Sequence, residues 1–305
     1  LDLQQCVSNV IEVDETSSSN VVTCRGAGQN EDITWKYISA SGATVNIGTC
    51  PPSGLCSNAN PLFSSTRSPS STSSQLTFKL DIKTYRSQYG GMTLICDTPS
   101  TDEISCQLDV IHRAEVTSCS AQSNTSGTQW TVGGTCAVSK AYSERNRYSC
   151  AWAEHRAGSS TTIPASQTSL TKTSYTEGGA TYNHVTCSFN RPFPTVTGTY
   201  TYSVIISPGS VTPTVPGSNT IVPPAKPSTD CPAGFIKQGD TLRCTCSTTN
   251  PGTPPATVTW DGQSGAQLEV TGVTSSDNNK QYTCQVRWGN RVVHDTTYTL
   301  RVACE

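Results

Sequence analysis

The sequence predicts an all-β chain of disulfide-stapled β-sandwiches, and three observations lead there. Only 14% of the 305 residues are charged and Ser and Thr dominate the polar positions. That suits short half-exposed strands, where Thr and Val fit the pleat, better than long helices. There are fifteen cysteines, and no Cys-x-x-Cys pair recurs with zinc-ligand spacing. Disulfides and a secretory route are therefore expected. Lastly, the stretch from Gly239 to Cys284 carries Cys244-Thr-Cys246, then Val258-Thr259-Trp260, Leu268-Glu269-Val270 and Tyr282-Thr283-Cys284. A cysteine, a tryptophan about one strand later and a cysteine preceded two residues earlier by tyrosine form one physical unit.

In chain order, residues 1–115 form the first expected domain. Val21–Cys24 and Ile33–Ile38 read as strands, with Trp35 eleven residues after Cys24. Leu76, Phe78, Leu80 and Ile82 alternate as a half-buried strand should. Met92–Cys96 and Ile104–Ile111 complete the set. Cys50-Pro-Pro-Ser-Gly-Leu-Cys56 is a loop whose ends can meet because Pro and Gly preset the turn. It reads as a local staple, with zinc or redox use as the alternative. The run Ser64–Ser74 reads as a mobile surface connection, either plainly solvated or O-glycosylated.

The second expected domain covers residues 116–206, with strands around Cys136, at Tyr148–Trp152, at Tyr182–Cys187 and finally at Thr199–Ile206. Residues 207–229 hold Pro208, Pro213, Pro216, Pro223, Pro224 and Pro227. Such a segment lacks sheet donors and is expected to be a semi-stiff polyproline spacer. Residues 230–305 form the third domain.

The Cys…Trp…Tyr-x-Cys unit at Cys246, Trp260, Tyr282 and Cys284 resembles the immunoglobulin superfamily. Cys24, Trp35 and Cys96, and then Cys136, Trp152 and Cys187, look like two less regular copies. The resemblance implies three tandem immunoglobulin-like Greek-key sandwiches: a first of variable or intermediate type, a second, and a third of constant-2 type. In that family a disulfide joins two facing sheets, the indole packs on the sulfurs and the tyrosine hydroxyl anchors a corner. Trp35, Trp152, Trp260 and Tyr282 are then core residues, and Cys24–Cys96, Cys136–Cys187 and Cys246–Cys284 are the inter-sheet bridges. In the chain-entropy model each is worth on the order of 4 kcal/mol.

Cys6 and Cys106 fall where first and last strands meet in such a sandwich, so they are paired. Cys119–Cys150 and Cys231–Cys244 follow by elimination. Cys304 is left over, either an inert thiol or the partner of another chain or a downstream module, with the native chain continuing past Glu305. Leu94 and Val185 stand where the corner tyrosine belongs. The loop holding Asp277 lacks the family's glycine and is one residue longer, so the family's salt bridge there is in doubt.

Several function classes are disfavoured. The net charge is −2, made up of −5 over residues 1–115, +3 over 116–206 and zero over 207–305, and no third is basic enough for nucleic acid. His112, His155, His184 and His294 are scattered without clustered carboxylates, and no phosphate-loop, dinucleotide or Gly-x-Ser-x-Gly motif occurs. No enzyme activity, metal or cofactor is expected. No run of eighteen apolar residues occurs, and with no leader at Leu1 the numbering is expected to start at the mature chain.

Loops at the ends of such sandwiches are where they bind. The first domain's loops at residues 25–32 and 97–103 are the candidate contacts, with Arg25, Gln29, Asp32, Asp97, Asp102 and Glu103 as residues to test. The sequon Asn124-Thr125-Ser126 is an N-glycosylation site, used or unused. Trp35, the Cys50…Cys56 pair and the late Leu-x-Phe-x-Leu strand also resemble the immunoglobulin part of molluscan fibrinogen-related defence lectins. That resemblance implies innate-immune recognition of a pathogen-surface glycan. The expected function is extracellular recognition or adhesion through a protein, glycoprotein or glycan ligand; the alternative is a matrix or adhesion spacer with no specific ligand.

Overall fold

The computed structural model describes residues 1–126, 129–289 and 291–303. Cys304, whose pairing was in question, lies outside them. Three buried clusters divide the chain into three sandwiches. Among the described residues no helix is long and apolar enough to cross a membrane.

The first sandwich uses β1 (Asp2–Leu3), β2 (Val10–Asp14), β3 (Val21–Arg25), β4 (Ile33–Ile38), β5 (Thr44–Cys50), β6 (Phe63–Thr66), β7 (Ser73–Phe78), the short helix α1 (Arg86–Tyr89), β8 (Thr93–Thr98) and the start of β9 (Thr101–Asn124). One sheet runs β1-β3-β7-β6. The other runs β9-β8-β4-β5, with β2 added in parallel to β9. The chain crosses between layers at β3–β4, β5–β6 and β7–β8, which is the Greek-key pattern. Cys24 on β3 and Cys96 on β8 join the two sheets, and Trp35, fully buried, donates its indole N–H to Ser74 Oγ at 3.0 Å. Cys6–Cys106 and Cys50–Cys56 are also bonded. Where Leu94 removes the corner tyrosine, Tyr89 of α1 sends its hydroxyl to the Leu62 carbonyl at 3.0 Å.

The Ser64–Ser74 run is not a mobile connection. It contributes to β6, to β7 and to the turn between them, and it buries Ser65, Arg67 and Ser74. Its hydroxyls serve as internal hydrogen-bond partners, a use that composition alone does not reveal.

β9 does not stop at the boundary expected between residues 115 and 116. Its first half closes the first sandwich against β8, and its second half opens the second sandwich against β10 (Thr131–Ser143). The second sandwich adds β11 (Ser149–Arg156), β12 (Ser159–Thr162), β13 (Thr168–Glu177), β14 (Ala180–Pro192), β15 (Gly198–Ser207) and β16 (Asn219–Ile221). Its sheets run β13-β14-β10-β9 and β12-β11-β15-β16.

Here the expected Cys136–Cys187 and Cys119–Cys150 bridges are overturned. Cys136 and Cys187 are direct neighbours on β10 and β14 of one sheet, so a bond between them could not join the layers. Cys136 instead bonds Cys119 on its other flank, while Cys187 crosses to Cys150 on β11 of the facing sheet. β15, the neighbour of β11 in that facing sheet, carries no cysteine. Trp152 packs beside this bridge against Phe189, ring centroids 4.8 Å apart.

Residues 207–229 are not a free spacer either. They supply β16, the edge strand beside β15, and β17 (Pro227–Thr229), the first strand of the third sandwich. Pro227 is tolerated at the start of β17 because that is an edge strand. The third sandwich continues with β18 (Ile236–Lys237), β19 (Leu242–Thr248), β20 (Thr257–Trp260), β21 (Gln267–Val270), β22 (Gln281–Trp288), β23 (Arg291–Thr299) and β24 (Val302–Ala303). Sheets β17-β19-β21 and β20-β22-β23 face each other. Cys246–Cys284 joins them over buried Trp260, and Cys231 bonds Cys244. The Tyr282 hydroxyl does not anchor a corner: it is buried with no hydrogen-bond partner among the described residues. Asp277 is used locally, in a capping box with Thr274.

Candidate functional site

The loops singled out in the first domain lie together at one end of its sandwich. Antiparallel pairing of β4 with β8 sets Thr34 opposite Asp97 and Trp35 opposite Cys96, which puts the β3–β4 loop beside the β8–β9 hairpin. Pro99 and Ser100 make the hairpin turn, closed by Thr98 opposite Thr101.

Two devices hold the β3–β4 loop. Arg67 is buried, and its guanidinium donates to the carbonyls of Glu31, Cys50 (2.9 Å), Gly28 (3.4 Å) and Ser71 (2.9 Å). A guanidinium satisfied by four carbonyls ties the loop to the staple and to the β6–β7 turn. The other device is the Glu31 carboxylate, which accepts from the Gly28 amide of its own loop at 2.8 Å. The nearby Ser100 hydroxyl and the Gly28 amide stabilise the anion and hold its pKa below the usual carboxylate value.

On this frame Arg25, Gln29, Asp32, Asp102 and Glu103 are exposed. Asp97 is half-buried and pairs with Lys36 at 2.7 Å. With Glu31 and Asp97 included, this end carries five carboxylates against Arg25, Lys36 and buried Arg67, so it is an acidic rim. Among the described residues no group of His, Cys, Asp and Glu could hold a metal ion.

Sequence reasoning missed Arg67 and Glu31, because neither burial nor partners can be read from a Ser-rich run or a loop. It also passed over Trp130 and Trp288, the two tryptophans outside the Cys…Trp pattern, which meet Phe193 between the second and third sandwiches. Their leftover status was the available signal. Asn124, in the sequon, is exposed at the end of β9 opposite Thr131.

No protein-family model matches the chain, and no curated protein matches it. Among solved structures it is similar to the full ectodomain (Ig1–Ig3) of mouse nectin-like molecule 4, at 14% identity over 97% of each chain and with a TM-score of 0.29. So loose an overlap carries no argument, and the fold class rests on the sheet topology and bridges described above.

Proposed function

We propose that the chain is an extracellular recognition or adhesion protein that presents the acidic rim of its first sandwich to a protein or glycoprotein partner carrying basic groups. The observation that carries this reading is the immobilised β3–β4 loop: Arg67 ties it to the staple and to the β6–β7 turn, so little ordering entropy is lost on binding. Seven disulfides among the described residues support an oxidising, extracellular setting. The role is one of binding rather than catalysis.

The narrower innate-immune reading, with a pathogen-surface glycan as ligand, is supported by the sequence resemblance alone. The division into domains at 1–115, 116–206 and 230–305 belongs to the same proposal, with the shared strand β9 as its first joint. So does glycosylation at exposed Asn124, which a mass shift on enzymatic glycan release would test. A second reading, a rigid spacer without ligand, is favoured by the continuity of β9 through two sandwiches.

The test is a surface-protein and glycan panel probed with the full chain and with an Asp32→Lys/Asp102→Lys/Glu103→Lys variant. All three side chains are exposed, so folding should be unaffected. Recognition requires that the chain retain a ligand and that charge reversal weaken it roughly tenfold or more. Retention of nothing by the unaltered chain would leave the spacer.

A further inference from the structure

A second surface, far from the acidic rim in sequence and opposite in charge, lies where the second and third sandwiches meet. Two adjoining hollows of about 290 and 570 Å³ share Arg191, Phe193 and Arg291 among their lining residues. Their combined size is that of a small-ligand site rather than a packing defect.

The smaller hollow has an aromatic wall. Trp130, Phe193 and Trp288 meet edge to face, with centroids 5.4 to 6.1 Å apart. The Trp288 indole N–H is donated to the Pro254 carbonyl at 2.6 Å and its ring is buried, so it backs the wall while half-buried Trp130 and Phe193 present the apolar surface. Close approach of Gly289 to the Trp130 ring, where a Cβ would come within 3.2 Å, holds the indole in place.

The larger hollow is cationic. Arg156, Arg191 and Arg291 line it, and Glu154 is the one carboxylate among its lining residues. Glu154 is taken by Arg191 Nη1 at 2.9 Å. Arg156 donates to the Tyr200 hydroxyl at 3.4 Å and lies 5.9 Å from the centre of that ring, and neither it nor Arg291 has an ion-pair partner among the described residues. Two positive charges therefore stand uncompensated. In addition, Arg191 Nε and Gln167 Oε1 are buried without a hydrogen-bond partner among the described residues. Neither atom reaches the open surface of the hollow, so recognition there falls to Arg156 and Arg291.

The geometry points to a binding site for a carboxylated sugar. The C–H face of a pyranose lies against the aromatic wall, its carboxylate pairs with Arg291 and Arg156, and its hydroxyls meet the neutral polar side chains beside them. Neutral polar residues around the arginines (Asn190, Ser159, Thr161 and Thr195) favour a polyhydroxylated ring over an apolar peptide side chain, which would leave them unsatisfied. The site does not involve the first sandwich, so it can fail while the rim proposal stands, and the reverse.

Two sources could supply the ligand: a sialylated glycan or a uronic-acid polymer. The full chain is titrated with 3′-sialyllactose and with a hyaluronan tetrasaccharide, followed by tryptophan fluorescence and saturation-transfer NMR. Lactose and the carboxyl methyl esters of both acids are the controls. One acid is expected to bind at or below millimolar concentration and to change the emission of Trp130 and Trp288, with its ester weaker by roughly tenfold or more. Arg291→Gln, at an exposed position, should weaken the acid by a similar factor while leaving the melting temperature unchanged. Arg291→Lys should keep part of the affinity. Equal binding of acid and ester, unchanged affinity in both Arg291→Gln and Arg156→Gln, or binding of neither acid at millimolar concentration would each overturn the assignment.

Discussion

The two joints of this chain are built from different physics. Between the first and second sandwiches the backbone never leaves the extended state, because β9 belongs to both. The seam beside it is charged and buried. Glu15, whose side chain is 1% exposed, is held by the Arg86 guanidinium and by His112 Nδ1 at 2.8 Å, while His112 Nε2 reaches Glu115 at 2.8 Å. Arg86 also lies 4.0 Å from the Tyr142 ring centroid and donates to the Thr181 carbonyl. A little further along, fully buried Asp109 accepts from the Ser143 hydroxyl at 2.8 Å and from the Arg145 amide at 3.1 Å.

Between the second and third sandwiches the chain crosses in a short irregular segment. It is tied by Val222–Thr253 backbone bonds of 2.9 and 2.7 Å and by Ala225 to Asn250 at 2.8 Å. Trp288, from β22, packs into the second sandwich's core. The first joint holds by directed bonds between charges and the second by apolar contact. The directed joint should be stiff and sensitive to pH, and the apolar one more tolerant of both angle and pH.

The sharpest way to break this contrast is Glu15→Ala. It leaves Arg86 and His112 facing a hole, and losing one partner of a buried pair costs about 3–5 kcal/mol. Calorimetry on the full chain should show the transition of the first two sandwiches lowered and that of the third unmoved. A uniform shift would mean that the joints are not independent.

Next is Trp288→Ala, expected to cost about 3 kcal/mol through lost burial and the cavity it leaves. Small-angle scattering should then show a broader spread of angles at the second joint, whereas the first joint keeps its extended form. An unchanged scattering profile would show that the Val222–Thr253 tie is sufficient by itself.

The smallest effect is that of pH. Burial pushes the Glu15 pKa up, but hydrogen bonds from His112 and Arg86 outweigh it and leave it below the ordinary 4.5. The Glu15 contribution is therefore complete above 4.5 and lost as pH falls through the lower folded value. For His112 the hydrogen bond to Glu15 outweighs burial and, with Glu115, raises the pKa above 6.5. That contribution is complete below 6.5 and lost as pH rises through the raised folded value. The first joint should be firmest between pH 4.5 and 6.5 and loosen on the alkaline side. His112→Gln should flatten the alkaline limb of the melting temperature, and an unflattened limb would place the titrating group elsewhere.

Legibility from sequence tracked the range of the interactions involved. Trp35, Trp152 and Trp260 announced three cores because a large apolar side chain one strand after a cysteine has few other places to go. The Cys50…Cys56 staple was legible because its loop is short and preset by proline and glycine. The second sandwich's bridges were not, because Cys136 has cysteines opposite it on both flanks, and which one bonds depends on strand order. Glu15, Arg86 and His112 are dispersed over some hundred positions, so no local pattern joins them.

By itself the sequence determined the all-β class, the oxidised cysteines and the three tryptophan-centred cores, since alternation, composition and spacing are properties of neighbouring residues. Only tertiary structure decided that β9 serves two sandwiches, that proline-rich residues 207–229 build edge strands, and that Cys187 reaches Cys150. Each of these turns on which strands become neighbours, a matter settled by simultaneous burial of both sheet faces rather than by any single segment's preference.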